Sequence, residues 1–171
     1  MSKNIILIGP MGAGKTTVGR KLAQYLKCPF VDVDEVIEKR LGVSITTIFE
    51  TEGEAKFRQR ELAILGDILA ENQHAVIATG GGCVLTEACR RLIVCQRLVV
   101  YLDVGLEQQY QRLQYDKKRP ILQSGNLREK LKILRKQRHY LYQELADLHI
   151  LSDQIGFRQT LRLIEKAMHN S

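Results

Sequence analysis

Residues 4–16 read NIILIGPMGAGKT: a short apolar run, then glycines, then a lysine and a threonine. The apolar run has the length of a buried strand, and residues 15–26 carry apolar side chains at every fourth position, as a helix does. From Gly9 onward the letters match G-x-x-x-x-G-K-T, which differs from the G-x-G-x-x-G of dinucleotide-binding loops. In such a loop, backbone N–H groups surround an anion that the helix N-terminus also attracts. The stretch therefore predicts a phosphate-binding loop (P-loop) between a strand and a helix.

The side chains of this loop indicate a nucleoside triphosphate together with Mg²⁺. Lys15 can reach the outer phosphates, and the Thr16 hydroxyl can bind the metal ion. The loop does not identify the acceptor of the phosphate, which has to be sought at the ends of other strands, where ligands of parallel sheets bind.

Strand-like and helix-like stretches alternate along the rest of the chain. We expect further strands at 29–34, 74–82, 97–104 and 148–153. We expect further helices around 35–41, 53–72, 86–95, 107–114 and 156–169. This alternation predicts an α/β domain with a parallel sheet and helices on both faces. Residues 114–127, QYDKKRPILQSGNL, do not fit it and are expected to form a mobile excursion.

Length and charge narrow the class of protein. The 171 residues suit one domain, 1–171, and no apolar run is long enough to span a bilayer or form a signal peptide. The net charge of +7 suits an anionic ligand, but the basic residues are scattered without interleaved aromatics. The four cysteines match no zinc spacing. We therefore expect a cytoplasmic, monomeric protein with reduced thiols that binds neither nucleic acid nor membrane.

Two acids follow the second apolar run. Asp32 and Asp34 are two residues apart, so on a strand both would point to the same side, roughly 6.5–7 Å from each other. One could then lie near the metal and the other farther out, toward an acceptor. The alternative is a solvated acidic turn, in which Asp34 caps the helix 35–41.

Glycines and arginines supply the remaining candidates. Three glycines, 80–82, follow the third apolar run and permit close approach of a ligand to the backbone, or form a tight turn. Arg58, Arg119 and Arg138 each carry a fork suited to carboxylate or phosphate, or are solvated surface charges.

Six segments together resemble one family. GPMGAGKTT, DVDEVIEK, GEAKFRQRE, ATGGG, DKKRPIL and RHYLY occur in this order over about residues 4–153, and the set is similar to the shikimate kinases. The resemblance implies a three-layer P-loop kinase fold with a five-stranded parallel sheet. It also implies a P-loop at 9–17, a substrate-binding helical region at about 33–61 and a lid at about 113–127. The implied reaction transfers the γ-phosphoryl group of ATP to the 3-hydroxyl of shikimate, a step toward chorismate and the aromatic amino acids.

The resemblance also implies roles for individual residues. On the ATP side, the phosphates would be bound by Gly12, Ala13, Gly14, Lys15, Thr16 and Thr17. Thr16 and Asp32 would hold Mg²⁺, and Arg112 would lie against adenine. Arg119 would close with the lid and neutralise charge on the transferring group.

On the acceptor side, Asp34 would hold the shikimate hydroxyls and favour loss of the 3-hydroxyl proton. Arg58 and Arg138 would clamp the carboxylate, and the backbone of Gly80 and Gly81 would contact the ring. Phe49 and Phe57 would wall the pocket, or are plain core aromatics.

The sequence departs from the family pattern at three places. The lid reads RPIL where RPLL is expected, Ser152-Asp153 replaces Thr-Asp, and the DQIGFRQT that follows diverges, so no adenine contact is assigned after residue 150.

The nearest rival is another small-molecule kinase, for gluconate or a nucleoside monophosphate. A nucleotide-dependent switch is less favoured because a guanine-reading N-K-x-D is missing from its expected place.

Overall fold

The computed structural model describes residues 1–117 and 125–171. Its sheet has five parallel strands in the order β2-β3-β1-β4-β5. Their bounds are β1 Ile5–Ile8, β2 Phe30–Asp32, β3 Val76–Ala78, β4 Leu98–Asp103 and β5 Leu148–Leu151. The five expected strands and the parallel sheet are confirmed.

Eight α-helices and one short 3₁₀ turn surround the sheet in the described ranges. The helices are α1 Lys15–Leu26, α2 Val33–Leu41, α3 Ile45–Glu52, α4 Glu54–Glu71, α5 Glu87–Val94, α6 Leu106–Leu113, α7 Leu127–Leu145 and α8 Phe157–His169. The 3₁₀ turn, Cys83–Leu85, follows the three glycines after β3.

Two apolar clusters, one on each face of the sheet, make the fold three-layered. Ile6 and Ile8 of β1 pack with residues of α2 to α5 and α7, whereas Ile5 and Leu7 pack with residues of α1 and α8. This division follows from the alternation of side chains along a strand. Because β1 is covered on both faces, it reads as a continuous apolar run in the sequence.

Two helices were not expected from the sequence. The stretch 45–52 is short and rich in β-branched residues, which favour strands, but Ser44 caps it by accepting a hydrogen bond from the Thr47 N–H. The long α7 does carry a helix signal in its sequence: Asn126 caps it by accepting from the Glu129 N–H, and leucines recur at helical spacing after it.

The carboxyl ends of the strands converge on one edge of the sheet. The P-loop follows β1 there, Asp32 ends β2, the three glycines follow β3, and Asp103 ends β4. Across the described residues, no helix is both long and apolar enough to cross a membrane.

Candidate active site

The P-loop joins β1 to α1 and adopts a conformation that suits glycine. Gly12 and Gly14 have φ angles of 78° and 89°, in the left-handed region. A Cβ on Gly9 would meet the Leu102 carbonyl oxygen, so the loop lies directly against β4. Helix α1 begins at Lys15 without a side-chain cap, which leaves the N–H groups of its first turn available for an anion.

Side chains from distant elements fasten the P-loop carbonyls. Gln109 of α6 donates to the Met11 carbonyl at 2.9 Å, and Ser152 after β5 donates to the Ala13 carbonyl at 2.7 Å. Arg112 donates to the Gly12 carbonyl at 2.6 Å, which places its guanidinium beside the loop. These three hydrogen bonds hold the P-loop in its conformation. The sequence did not predict a role for Gln109 or Ser152.

The Lys15 ammonium group contacts the backbone of the same loop. Its Nζ donates to the carbonyl oxygens of Gly9 and Pro10 at 2.6 and 2.9 Å. The ammonium therefore lies within the loop and close to the space that phosphates would enter.

The placement of Asp32 and Asp34 corrects the expectation from the strand period. Strand β2 ends at Asp32 and α2 begins at Val33, so Asp34 lies in the first turn of a helix and not on the strand. Asp32, not Asp34, is the helix cap: its Oδ1 accepts from the N–H groups of Asp34 and Glu35 at 3.0 and 3.3 Å. A helix can start this early because the cap satisfies two of its unpaired N–H groups.

The second oxygen of Asp32 faces the P-loop. Its Oδ2 accepts a hydrogen bond of 3.0 Å from the Thr16 hydroxyl. A carboxylate and a hydroxyl are hard oxygen ligands of the kind Mg²⁺ takes, and Mg²⁺ usually binds one or two protein oxygens plus the substrate phosphates. The described residues contain no cluster of three or more His, Cys, Asp or Glu that could hold a metal ion.

A cavity of about 670 Å³ opens next to the P-loop. Of the residues predicted to bind ligands, six line this cavity: Asp32, Asp34, Arg58, Gly80, Gly81 and Arg138. Met11 of the P-loop forms part of its wall, so the phosphate loop and the cavity adjoin.

Arg58 projects into the cavity from α4 and is held by two carboxylates. Its Nη1 donates to Glu61 Oε1 at 3.0 Å, and its Nη2 donates to Glu54 Oε1 at 3.2 Å. Burial lowers the pKa of the guanidinium, but the two carboxylates outweigh it and raise the pKa above its ordinary value. Arg58 is thus charged and held in a fixed orientation.

Glu61 is an unexpected member of the site. It is fully buried, and burial raises the pKa of its carboxyl to about 7 although Arg58 acts in the opposite direction. Within the described chain its Oε2 has no hydrogen-bond partner. The i, i+3 spacing from Arg58 on a helix was a signal that could have identified the pair.

Arg138 reaches the cavity from α7 and is only 5% exposed. Burial lowers the pKa of its guanidinium, and the Tyr142 hydroxyl one turn later partly offsets that effect. Arg58 also lowers the pKa of Arg138 through its like charge. A buried guanidinium (Arg138) and a partly buried one (Arg58) on one cavity create a site for an anion.

The glycines after β3 lie against these charged groups. A Cβ on Gly80 would be 2.8 Å from Asp34 Oδ1, and a Cβ on Gly82 would be 2.7 Å from Arg58 Cζ. These contacts require glycine for space, since neither residue has a positive φ. The glycines therefore let Asp34 and Arg58 approach the backbone.

The two phenylalanines contribute both to the wall of the cavity and to the apolar core. Phe49 and Phe57 line the cavity, with ring centroids 4.8 Å apart, and Phe57 is also buried in the apolar cluster that contains Ile6 and Ile8. Lining the pocket and belonging to the core, the two alternatives expected for these aromatics, therefore do not exclude each other. Arg119 and residues 118–124 of the expected lid lie outside the described residues.

Known proteins resemble the chain over most of its length. A family model described as "Shikimate kinase" matches residues 11–168. The shikimate kinase of Actinobacillus pleuropneumoniae serotype 5b (strain L20) is 49% identical over 152 residues, covering 89% of this chain and 87% of the relative. That of Francisella tularensis subsp. novicida (strain U112) is 48% identical over 147 residues, covering 86% and 84%.

A solved structure is similar over nearly the whole fold. The shikimate kinase from Acinetobacter baumannii in complex with shikimate is 42% identical, with a TM-score of 0.92, and the match covers 99% of this chain and 94% of that one. The shikimate kinase from Aquifex aeolicus vf5 is 34% identical, with a TM-score of 0.82, covering 98% and 96%.

Proposed function

Because the chain belongs to the shikimate kinase family, we propose that it transfers the γ-phosphoryl group of ATP to the 3-hydroxyl of shikimate and releases ADP and shikimate 3-phosphate. One observation carries the proposal most directly: Arg58, Arg138 and Asp34 open into a single cavity whose wall includes the P-loop. An acceptor that carries both a carboxylate and hydroxyl groups matches two guanidinium groups and a carboxylate in one cavity.

On the nucleotide side, the P-loop residues Gly12 to Thr17 bind the ATP phosphates. The uncapped N-terminus of α1 and the left-handed glycines of the loop support this role. Lys15, which already lies within the loop, turns its ammonium group toward the outer phosphates. Arg112 lies beside Gly12 and borders the nucleotide.

Thr16 and Asp32 hold Mg²⁺ on this side of the site. Their direct contact at 3.0 Å supports the assignment because it places two hard oxygens together next to the P-loop. When bound, the ion neutralises phosphate charge. Asp32 has a further role that needs no metal: it fixes the start of α2 and with it the position of Asp34.

On the acceptor side, Arg58 and Arg138 bind the shikimate carboxylate and Asp34 accepts a hydrogen bond from the hydroxyl that is phosphorylated. Asp34 then takes the hydroxyl proton as the new P–O bond forms. Gly80 and Gly81 line the cavity together with Asp34, and their backbone contacts the ring. Positioning and charge neutralisation dominate, as phosphoryl transfer requires little covalent help from a protein.

The whole chain acts as one kinase domain, with the substrate region at about 33–61 and a lid at about 113–127. In the lid, Arg119 neutralises charge on the transferring group and the lid excludes water, which would otherwise compete as acceptor.

A coupled ADP-release assay tests the proposal. Shikimate, gluconate and AMP are offered separately with ATP and Mg²⁺, and we expect turnover with shikimate and only background with the other two. Preference for gluconate or AMP would replace shikimate as the acceptor. ADP release without any acceptor would favour a nucleotide-dependent switch.

A further inference from the structure

One face of α7 is tied to the sheet by polar contacts on either side of Arg138. Arg135 precedes it by three residues, and His139 and Tyr142 follow it by one and four, so all four side chains lie on the same side of the helix. The His139 ring nitrogen lies 2.7 Å from the Tyr101 hydroxyl. The Tyr142 hydroxyl donates to the Gly81 carbonyl.

Arg135 forms a bidentate ion pair with a buried carboxylate. Asp103, which ends β4, is 1% exposed and accepts from Arg135 Nη1 at 2.8 Å and from Nη2 at 3.3 Å. Its Oδ2 also lies 2.9 Å from His149 Nε2, and its Oδ1 accepts from the Val104 N–H at 2.8 Å. A single carboxylate thus joins α7 to β4 and β5.

The hydrogen bonds around Asp103 favour its ionised form. Burial raises the pKa of Asp103, but hydrogen bonds from Arg135 and His149 lower it to about 2. An ionised carboxylate only accepts hydrogen bonds, so His149 Nε2 carries the proton of that contact. The His149 ring stacks on Tyr101 with centroids 4.4 Å apart, which fixes the imidazole that holds Asp103.

Arg138 differs from Arg58 in how its position is set. Arg58 is held by two carboxylates on its own helix. Within residues 1–117 and 125–171, the Nε of Arg138 has no hydrogen-bond partner, and the Tyr142 hydroxyl that contacts its guanidinium lies on the same helix. The position of the Arg138 guanidinium therefore depends on the placement of α7 itself.

Apolar contacts define the placement of a helix less sharply than directional bonds do. Leu131 and Leu141 pack α7 against its neighbours, but such packing tolerates small rotations and shifts. The bidentate bond at Arg135 restrains the rotation and the axial position of α7 one turn before Arg138, and the contacts of His139 and Tyr142 restrain it after Arg138. A shift of 1 Å at a ligand-binding group can reduce activity about 10²-fold.

We propose that Asp103 and Arg135 are positioning residues for acceptor binding, because their ion pair, in which the Asp103 carboxylate is buried, places Arg138 in the cavity. The inference rests on the proposed function in one respect: Arg138 must bind the acceptor carboxylate. His149 supports the pair by holding the second oxygen of Asp103. None of these three side chains lines the acceptor cavity.

Steady-state kinetics of Arg135→Ala test the proposal. We expect KM for shikimate to rise about tenfold, an effect typical of a residue that acts on binding through another residue. The kcat and the KM for ATP should stay within about twofold of the parent. Lys132→Ala is the matched control, because Lys132 lies on the same helix and its ion pair with Glu129 is exposed. Its KM for shikimate should be unchanged. An unchanged KM in Arg135→Ala would overturn the proposal.

A double variant separates positioning from general loss of stability. If Arg135 acts through Arg138, Arg135→Ala/Arg138→Ala should have the same KM for shikimate as Arg138→Ala alone. Independent, multiplying effects would contradict the mechanism. Should Arg135→Ala fold poorly, Arg135→Lys and Asp103→Asn serve instead. Arg135→Lys keeps the charge but not the fork, so its KM should lie between those of the parent and Asp103→Asn; a parental KM in both variants would overturn the proposal.

The same measurements distinguish this inference from the proposed function. If Arg138→Ala leaves KM for shikimate unchanged, the carboxylate clamp of the proposed function is wrong. If Arg138→Ala raises KM but Arg135→Ala does not, the clamp stands and the positioning role is wrong.

Discussion

Nη1 of Arg58 lies 3.0 Å from Oε1 of Glu61, a carboxylate that solvent does not reach. The pair sits on one turn of α4, at the wall of the cavity that also receives Arg138 and Asp34. Burial raises the pKa of Glu61 from 4.5 to about 7, despite the nearby guanidinium. An ionisable group of the site therefore changes its charge near neutral pH.

The stability of the protein should fall as pH rises through this range. The unfolded Glu61 titrates near 4.5 and the folded one near 7, so between these values the folded state binds more protons. The contribution of Glu61 to the free energy of unfolding should drop by roughly 2–4 kcal/mol between pH 4.5 and pH 8. Urea titrations of the parent and Glu61→Gln at pH 5 and pH 8 measure it. The variant should lose less stability than the parent across this interval, and equal losses would contradict the shift.

Arg58→Ala should weaken shikimate binding by roughly 2–5 kcal/mol, because it removes one partner of a desolvated charge pair. Isothermal titration with shikimate measures the effect. Arg60→Ala is the matched control: Arg60 is two residues along α4, more exposed, and pairs with Glu52 at 2.7 Å. Its shikimate Kd should stay within twofold of the parent. An unchanged Kd in Arg58→Ala would reject the carboxylate clamp.

Asp34→Asn should abolish most turnover and leave nucleotide binding nearly intact. The amide keeps the shape of the side chain but cannot take a proton, and loss of such a group typically lowers kcat about 10²–10⁴-fold. Asp32 still caps α2 in this variant, so the fold around the site should be kept. Single-turnover kinetics and ATP titration give the two quantities. A kcat near that of the parent would show that Asp34 does not act as a base.

Gly80→Ala and Gly66→Ala should act in opposite directions. A Cβ on Gly80 would lie 2.8 Å from Asp34 Oδ1, so Asp34 must move, at a cost of about 1–3 kcal/mol in stability and a loss of activity. Gly66 lies within α4 with no atom within 4 Å of an added Cβ. Gly66→Ala should therefore stabilise the protein by about 0.5–1 kcal/mol with activity unchanged. Thermal unfolding and the ADP-release assay compare the two, and equal effects would contradict the space requirement at Gly80.

Patterns within a few residues were predicted well. The P-loop needs only a strand, glycines at fixed offsets and a helix N-terminus, all within 4–26, and the structure has them. The five strands were found from apolar runs, because strands covered on both faces carry that pattern in one segment. The family was identified from segments spread over the chain, and the comparisons confirm it.

The prediction that depended on the exact end of a strand and the start of the next helix was wrong. The sequence placed Asp34 on a strand that ends two residues earlier in the structure, and the alternative that Asp34 caps the next helix is wrong because Asp32 is the cap. A helix can begin wherever a side chain satisfies its first N–H groups, and local periodicity does not show that.

The amino-acid order alone specified the P-loop, the strands and the chemical types of the groups at the strand ends. Folding then brought Arg58 and Arg138, eighty positions apart on α4 and α7, to one cavity. Folding also buried Glu61, which raised its pKa to about 7, and it placed Arg135 and His149 against Asp103, whose pKa their hydrogen bonds lower to about 2. The physical reason is that burial and the proximity of distant charges arise when elements pack, whereas glycine turns and strand patterns are encoded in consecutive residues.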